Sequence, residues 1–97
     1  MKIPLRLYGV FRSATGSSLI QLDLPAQGAT VRSVLEIIAS RPDFRSLKAL
    51  LVEGNSADPR PNALIMVSGR EIGALDGLDT LLADGDEMSL LPIAHGG

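Results

Sequence analysis

Apolar and polar residues alternate along the first segment of the chain, "KIPLRLYGVF". Alternation with a period of two is typical of a strand with one buried face, so we predict a strand over residues 2–11. Its predicted buried side consists of Ile3, Leu5, Leu7, Gly9 and Phe11. The stretch "RSATGSS" then offers turn residues, and "LIQLDLP" alternates again. Two alternating segments around a short Gly/Ser loop predict a β-hairpin.

The middle of the chain changes to helical spacing. Thr30 is of a residue type favoured at a helix N-cap, and an apolar stripe with the period of a helix follows it. The stripe consists of Val31, Val34, Leu35 and Ile38. We predict that this main helix ends before Pro42 and that "FRSLKALLV" forms a second, shorter helix.

The last part of the chain returns to strands and turns. "ALIMVSGREI" predicts a strand, a turn at Ser68-Gly69 and a short strand, and Asp84-Gly85-Asp86 is a strong turn signal. "EMSLLP" predicts a final strand with Met88 and Leu90 facing the core. Strands on both sides of one main helix favour an α+β domain, with a mixed sheet wrapped on the helix.

Composition narrows the class of protein. With 97 residues, 45% of them hydrophobic, the chain suits one domain with one core. It has no cysteine, which excludes disulfides, thiol catalysis, zinc ribbons and cysteine-held iron–sulfur clusters. The net charge is −2 with scattered basic residues, so nucleic acid is not an expected partner. No apolar run suits a membrane span, and we predict a soluble cytoplasmic protein.

The acidic residues between Asp76 and Glu87 do not have the spacing of a calcium loop. If Asp76 opened such a loop, the third and fifth positions would be Leu78 and Thr80, and the required glycine would be Leu81. Solvated turns explain the acidic residues better, and no metal site is predicted.

Catalytic signatures are also missing from the sequence. His95 is the sole histidine and lies near the C-terminus, with no group predicted to orient it as a base. No phosphate-binding glycine motif is present. We therefore predict no self-sufficient active site.

The C-terminus itself offers a different chemistry. Pro92 should end the last strand, which gives a domain over residues 1–92 and a flexible arm, "IAHGG", over residues 93–97. Gly96 and Gly97 lack a Cβ, so the arm can enter a narrow channel and present its carboxylate. An ATP-using partner could convert this carboxylate to an acyl-adenylate. A chance glycine pair or a cloning remnant are the alternatives.

The segment "IMVSGREIGALDGLDTLLADGDEMSLLPIAHGG" resembles the ubiquitin-like sulfur carriers of the MoaD and ThiS type. The resemblance is closest to the MoaD-like branch, which includes archaeal modifiers and carriers of cysteine biosynthesis. The shared features are the "GREI" turn, the "L-x-D-G-D-E" turn, the "LLP" strand end and the terminal Gly-Gly, in that order. The opening strand, the hairpin and the helix after Thr30 agree more loosely.

The resemblance implies a β-grasp fold, in which a mixed sheet of about four or five strands packs on one main helix. It also implies a protein co-substrate that is not itself an enzyme and binds no cofactor. An activating enzyme of the MoeB, ThiF or ubiquitin-activating type would use ATP to adenylate Gly97, and a sulfur donor would then make the thiocarboxylate. Gly96 is the small residue next to Gly97. Two positions depart from the family pattern: Ile93 stands where a second proline is frequent, and His95 stands where a small residue is common.

Several users of that sulfur are compatible with the resemblance. The first is the large subunit of a molybdopterin synthase, which would make this chain similar to the small subunit. Others are cysteine, thiamine or secondary-metabolite synthesis, or attachment of the chain to lysines as a protein modifier. A plain β-grasp binding module with incidental glycines is the remaining alternative.

A docking surface for the partner is expected beside the arm. In a β-grasp sheet the first and last strands are neighbours, so Tyr8 and Leu91 should be close on the outer face, with Met66 nearby. Pro92 and Ile93 continue from this surface into the arm. Such an apolar surface would bind the partner while the arm enters its active site.

Overall fold

The computed structural model describes residues 1–54 and 58–93. The strands are β1 (Lys2–Leu7), β2 (Leu19–Asp23), β3 (Ala63–Val67), β4 (Arg70–Glu71) and β5 (Met88–Pro92). The α-helices are α1 (Gly9–Thr15), α2 (Val31–Ser40) and α3 (Arg45–Leu51). Short 3₁₀ turns occupy Pro42–Phe44, Ile72–Ala74 and Gly77–Asp79.

The five strands form one mixed sheet in the order β2-β1-β5-β3-β4. The central pair, β1 and β5, is parallel, and the other pairs are antiparallel. The first and last strands of the chain, β1 and β5, are therefore paired in the middle of the sheet. This arrangement confirms the predicted mixed sheet and the predicted contact between the first and last strands.

One face of the sheet packs against the helices and forms the core. Met88 and Leu90 are both 0% exposed, which confirms that they face inward. From β1 and α2, the same core receives Ile3, Leu5, Leu7, Val31, Val34 and Ile38. The period-two and helical patterns of the sequence therefore assign the buried faces of β1, β5 and α2 correctly.

The connection between β1 and β2 differs from the short hairpin loop that the sequence predicts. Strand β1 ends at Leu7, and Gly9–Thr15 forms helix α1 where the sequence predicts strand and turn. Gly9 has φ +54, which breaks the strand, and it is exposed rather than buried. Phe11 is buried as predicted, but from the helix, because a position four residues after Leu7 suits the helical period as well. The two strands nevertheless pair antiparallel, with Ile3 opposite Leu22.

The main helix begins as predicted. The Thr30 side chain accepts a hydrogen bond from the Ser33 backbone N–H at 3.3 Å, and the Thr30 N–H donates to Ser33 Oγ at 3.0 Å. This reciprocal arrangement is a capping box, with serine in the position usually held by Glu or Gln. The predicted turn at Ser68-Gly69 is also confirmed, with φ of +48 and +82 that suit a tight hairpin.

Candidate functional site

The outer face of the sheet carries a row of apolar side chains at its centre. Leu91 on β5 lies directly opposite Leu64 on β3. On the other side of β5, the Tyr8 backbone N–H donates to the Leu90 carbonyl oxygen at 3.2 Å, which places Tyr8 beside Leu91. The side chains of these three residues alternate with the buried ones, so they share the outer face.

We call the surface formed by Tyr8, Leu64, Met66 and Leu91 the sheet patch. Tyr8 is 42% exposed and Leu64 is 37% exposed, while Met66 and Leu91 are half-buried. Met66 lies opposite Ser89, which is two residues before Leu91 on β5 and on the same face of the sheet. The four side chains therefore form one apolar surface over three neighbouring strands.

Leu64 was missing from the surface predicted from the sequence. The same alternation that places Met66 outward also places Leu64 outward, two positions earlier on β3. That signal was available in the sequence. The pairing of Leu64 with Leu91 was not, because register between β3 and β5 depends on residues far apart in the chain.

One ion pair lies next to the sheet patch, and a second lies far from it, at the edge of the sheet. The Arg6 guanidinium donates to the Glu87 carboxylate, and Arg6 lies opposite Ser89 on β5. The hydrogen bond that Arg6 donates to this carboxylate raises the pKa of Arg6 above its ordinary value. At the far edge of the sheet, the hydrogen bond from Lys2 lowers the pKa of Asp23, and their side chains are 2.8 Å apart. An apolar centre with polar or charged residues beside it is the usual build of a protein interface.

The C-terminal arm begins directly beside the sheet patch. Pro92 follows Leu91 at the end of β5 and is exposed, and Ile93 is 40% exposed. The Ile93 backbone N–H donates to the Asn62 carbonyl oxygen at 3.1 Å, so at this residue the chain is still attached to the segment that directly precedes β3. The other predicted residues of the arm, His95, Gly96 and Gly97, lie outside the described residues.

The acidic turn before β5 has a structural role. The carboxylate of Asp86 accepts hydrogen bonds from Ser68 Oγ and from the Ala83 N–H, both at 2.8 Å. It therefore connects this turn to the β3–β4 turn. Across residues 1–54 and 58–93, no group of three or more His, Cys, Asp or Glu side chains is placed to hold a metal ion. Within those ranges, too, none of the helices is long and apolar enough to cross a membrane.

The fold and the position of the arm define the class of protein. A mixed five-stranded sheet with a main helix across one face, ending in a strand that leads into the C-terminus, is the ubiquitin-like β-grasp fold. The chain belongs to the ThiS family, whose family model matches residues 5–97. This confirms the family resemblance and the fold class inferred from the sequence.

Individual relatives support the same assignment. The chain is 34% identical to small archaeal modifier protein 3 of Haloferax volcanii, over the full length of both chains. The solution structure of the H. volcanii HVO 2177 protein matches with 32% identity and a TM-score of 0.79, covering 100% of this chain and 87% of that one. A Pyrococcus furiosus protein described as molybdopterin converting factor subunit 1 matches with 25% identity and a TM-score of 0.66. That match covers 97% of this chain and 99% of that one. The chain is thus a member of a family of small ubiquitin-like sulfur carriers and modifiers.

Proposed function

We propose that this chain is a sulfur carrier that delivers sulfur as a thiocarboxylate on Gly97, in the cytoplasm and for the synthesis of a cofactor. The observation that carries the proposal is the placement of the arm. It starts at the end of the central strand, immediately beside the sheet patch, and its sequence finishes on Gly96 and Gly97. A surface that can bind a partner therefore lies next to a terminus that the partner can modify.

The chemistry needs two steps, both supplied by partners. A carboxylate oxygen of Gly97 attacks the α-phosphate of ATP in a MoeB- or ThiF-like activating enzyme, pyrophosphate leaves, and an acyl-adenylate forms. A hydrosulfide ion supplied by the sulfur donor then attacks the carbonyl carbon, the acyl–oxygen bond breaks and AMP leaves with its electron pair, and loss of the S–H proton gives the thiocarboxylate. Glycine suits this carbonyl because it has no side chain to obstruct the attack. The chain itself contributes the acyl group and holds no cofactor.

The length of the arm sets how far the partner's active site lies from the sheet patch. Ile93 is attached to Asn62, and four residues separate it from the end of the chain. An extended chain covers at most about 3.3–3.6 Å per residue, so the Gly97 carbonyl reaches roughly 13–14 Å from Ile93. A partner that binds the sheet patch must place its ATP site within that distance.

Among possible acceptors, we favour the large subunit of a molybdopterin synthase, with this chain acting like the small subunit. The similarity to the P. furiosus protein described as molybdopterin converting factor subunit 1 supports this choice. The terminal thiocarboxylate would enter the active site of the large subunit and transfer its sulfur there.

The proposal is tested by weighing the intact chain after activation. We expect incubation with an activating enzyme of this type, ATP and a sulfur donor to raise the mass by the difference between sulfur and oxygen. The same reaction without ATP serves as the control and should leave the mass unchanged. If neither adenylate nor thiocarboxylate forms with such enzymes, the carrier function is wrong.

A second candidate is a protein modifier, favoured by the similarity to small archaeal modifier protein 3. In that case a lysine amine of a target attacks the same acyl-adenylate, AMP leaves, and an amide forms. On this chain only Lys2 and Lys48 could accept the C-terminus of a second copy through a side-chain amide. Lys2 Nζ is 2.8 Å from the Asp23 carboxylate, whereas Lys48 is exposed on α3.

If the chain is a modifier, replacing both lysines with arginine should abolish chains of linked copies and leave attachment to other proteins intact. Arginine keeps the charge but supplies no nucleophilic amine at neutral pH. Immunoblots of tagged chain in cell lysate, wild type beside Lys2→Arg/Lys48→Arg, measure both products. A lysate without any adducts would argue against the modifier and for delivery of sulfur to small molecules.

A further inference from the structure

The chain that leaves the sheet at Pro92 is held from both sides. Strand β5 lies between β1 and β3, so the residues after it pass between the segment that follows β1 and the segment that precedes β3. On the β1 side lies Gly9, where an added Cβ would be 2.9 Å from Pro92 Cγ. The Pro92 ring therefore packs directly on the Gly9 backbone, and a side chain at Gly9 would displace it.

On the β3 side, the contact is made by Asn62. Its carbonyl oxygen accepts the hydrogen bond from the Ile93 N–H at 3.1 Å. Its side-chain amide donates to the carbonyl oxygen of Leu51, the last residue of α3, at 2.9 Å, and to that of Glu53, two residues beyond the helix, at 2.8 Å. A single residue thus connects the base of the arm to the end of a helix.

The side-chain bonds of Asn62 also satisfy helix α3. The carbonyl group of Leu51, at the end of α3, has no partner within the helix, and the amide NH₂ of Asn62 donates one N–H to it and the other to the Glu53 carbonyl in the segment that follows. This capping stabilises α3, and it also fixes the backbone of Asn62 relative to that helix. Since the same backbone accepts the bond from Ile93, the direction in which the arm leaves the domain depends on α3.

Because Pro92 is a proline, this bond is the first backbone hydrogen bond that the chain can donate after Leu91. Pro92 has no backbone N–H, so Ile93 supplies the first N–H group beyond Leu91 that can donate to β3. The base of the arm also lies beside a cleft of about 70 Å³, whose walls include Val10 of α1 and Leu50 of α3. Without the bond to Asn62, Ile93 would be free to change direction relative to the sheet patch.

We infer that Asn62 is a positioning residue that sets the exit direction of the arm and thereby speeds adenylation of Gly97. This inference rests on the proposed function. Ordering one additional backbone residue when the arm enters a partner should reduce productive entry by roughly 5- to 30-fold. The sheet patch does not include Asn62, so binding of the partner should change little.

The test compares Asn62→Ala with Thr30→Ala. Loss of the Thr30 cap should lower the melting temperature by about 4–8 °C without altering the arm, which makes it a control for stability alone. Hydrogen exchange at the Ile93 amide, measured on the protein without any partner, reports the attachment. We expect Asn62→Ala to accelerate this exchange by at least about fivefold and Thr30→Ala to leave it near the wild-type rate.

Adenylation is then measured as ATP–pyrophosphate exchange with the activating enzyme. We expect kcat to fall about 5- to 30-fold in Asn62→Ala while KM stays within about twofold, because docking through the sheet patch is kept. Thr30→Ala should retain both constants. If Asn62→Ala does not fold, Asn62→Leu keeps the approximate size of the side chain and removes its donors without adding a charge beside the two carbonyl oxygens, and the same results are expected.

Two results would overturn the inference. The first is unchanged hydrogen exchange at the Ile93 amide in Asn62→Ala. The second is faster hydrogen exchange in Asn62→Ala together with a kcat of adenylation equal to that of Thr30→Ala. If the wild-type chain is not adenylated at all, the proposed function fails and the positioning role falls with it. The exchange experiment still decides, without any enzyme, whether Asn62 holds Ile93.

Discussion

Deleting Gly96 and Gly97 should abolish adenylation and leave the melting temperature nearly unchanged. The buried core among the described residues ends at Leu90, and Pro92 and Ile93 are already exposed. Residues beyond this point should contribute little to the free energy of unfolding. The acyl group, in contrast, exists only at the terminus, and a truncated chain would end on the bulky His95. Thermal unfolding of the truncated chain and ATP–pyrophosphate exchange with the activating enzyme measure the two effects.

A matched control for the truncation is Gly97→Ala, which keeps the length of the arm and adds one methyl group. We expect it to retain the stability of the wild type and to be adenylated more slowly, because the added methyl group must fit into the narrow channel through which the glycine arm reaches ATP. A large loss of stability on truncation would show that the C-terminus is packed structure. Undiminished adenylation of the truncated chain would contradict the role of Gly97.

Replacing Leu91 with Asp should weaken binding to the activating enzyme or to the acceptor by about 30-fold or more. Leu91 is the centre of the sheet patch, between Tyr8 and Leu64, and a carboxylate there would have to lose its hydration in the complex without a partner group. The loss corresponds to at least about 2 kcal/mol, the scale of an interface hot spot. Binding is measured by titration calorimetry and the fold by thermal unfolding of the variant alone.

Because Leu91 is half-buried, we expect Leu91→Asp to cost about 1 kcal/mol of stability and to remain folded. Leu81 offers a matched control: it is 66% exposed, pairs with Thr30 at the start of α2, and lies outside the sheet patch. Leu81→Asp should leave the affinity unchanged. Equal affinities of Leu91→Asp and the wild type would exclude Leu91 from the interface.

Much of this fold could be predicted because its signals are local. The capping box at Thr30, the tight turn at Ser68-Gly69 and the inward direction of Met88 and Leu90 each depend on residues a few positions apart. Helix α1 was missed because Phe11 suits both a strand that continues from Leu7 and a helix that begins at Gly9. Local spacing could not separate the two, and packing against the rest of the chain decides between them.

Some residues of the candidate site could likewise be predicted from the sequence, and others could not. The terminal glycines and the outward direction of Tyr8, Met66 and Leu91 follow from the sequence. Leu64 was overlooked, although the alternation on β3 indicates it. Asn62 gave no signal, because its contacts are with Leu51, Glu53 and Ile93, and the last of these is 31 positions away.

Most of the core, the start of the main helix and the chemistry that the terminus can support can be inferred from the sequence, although Gly9 is predicted in the core and is exposed. These properties depend on residue type and on short-range periodicity, which a single chain displays directly. The folded chain alone shows that β5 lies between β1 and β3, that Leu64 meets Leu91, and that the Asn62 carbonyl accepts the hydrogen bond from Ile93. Pairing and register between distant strands are fixed by how the whole core packs, and no local pattern specifies them.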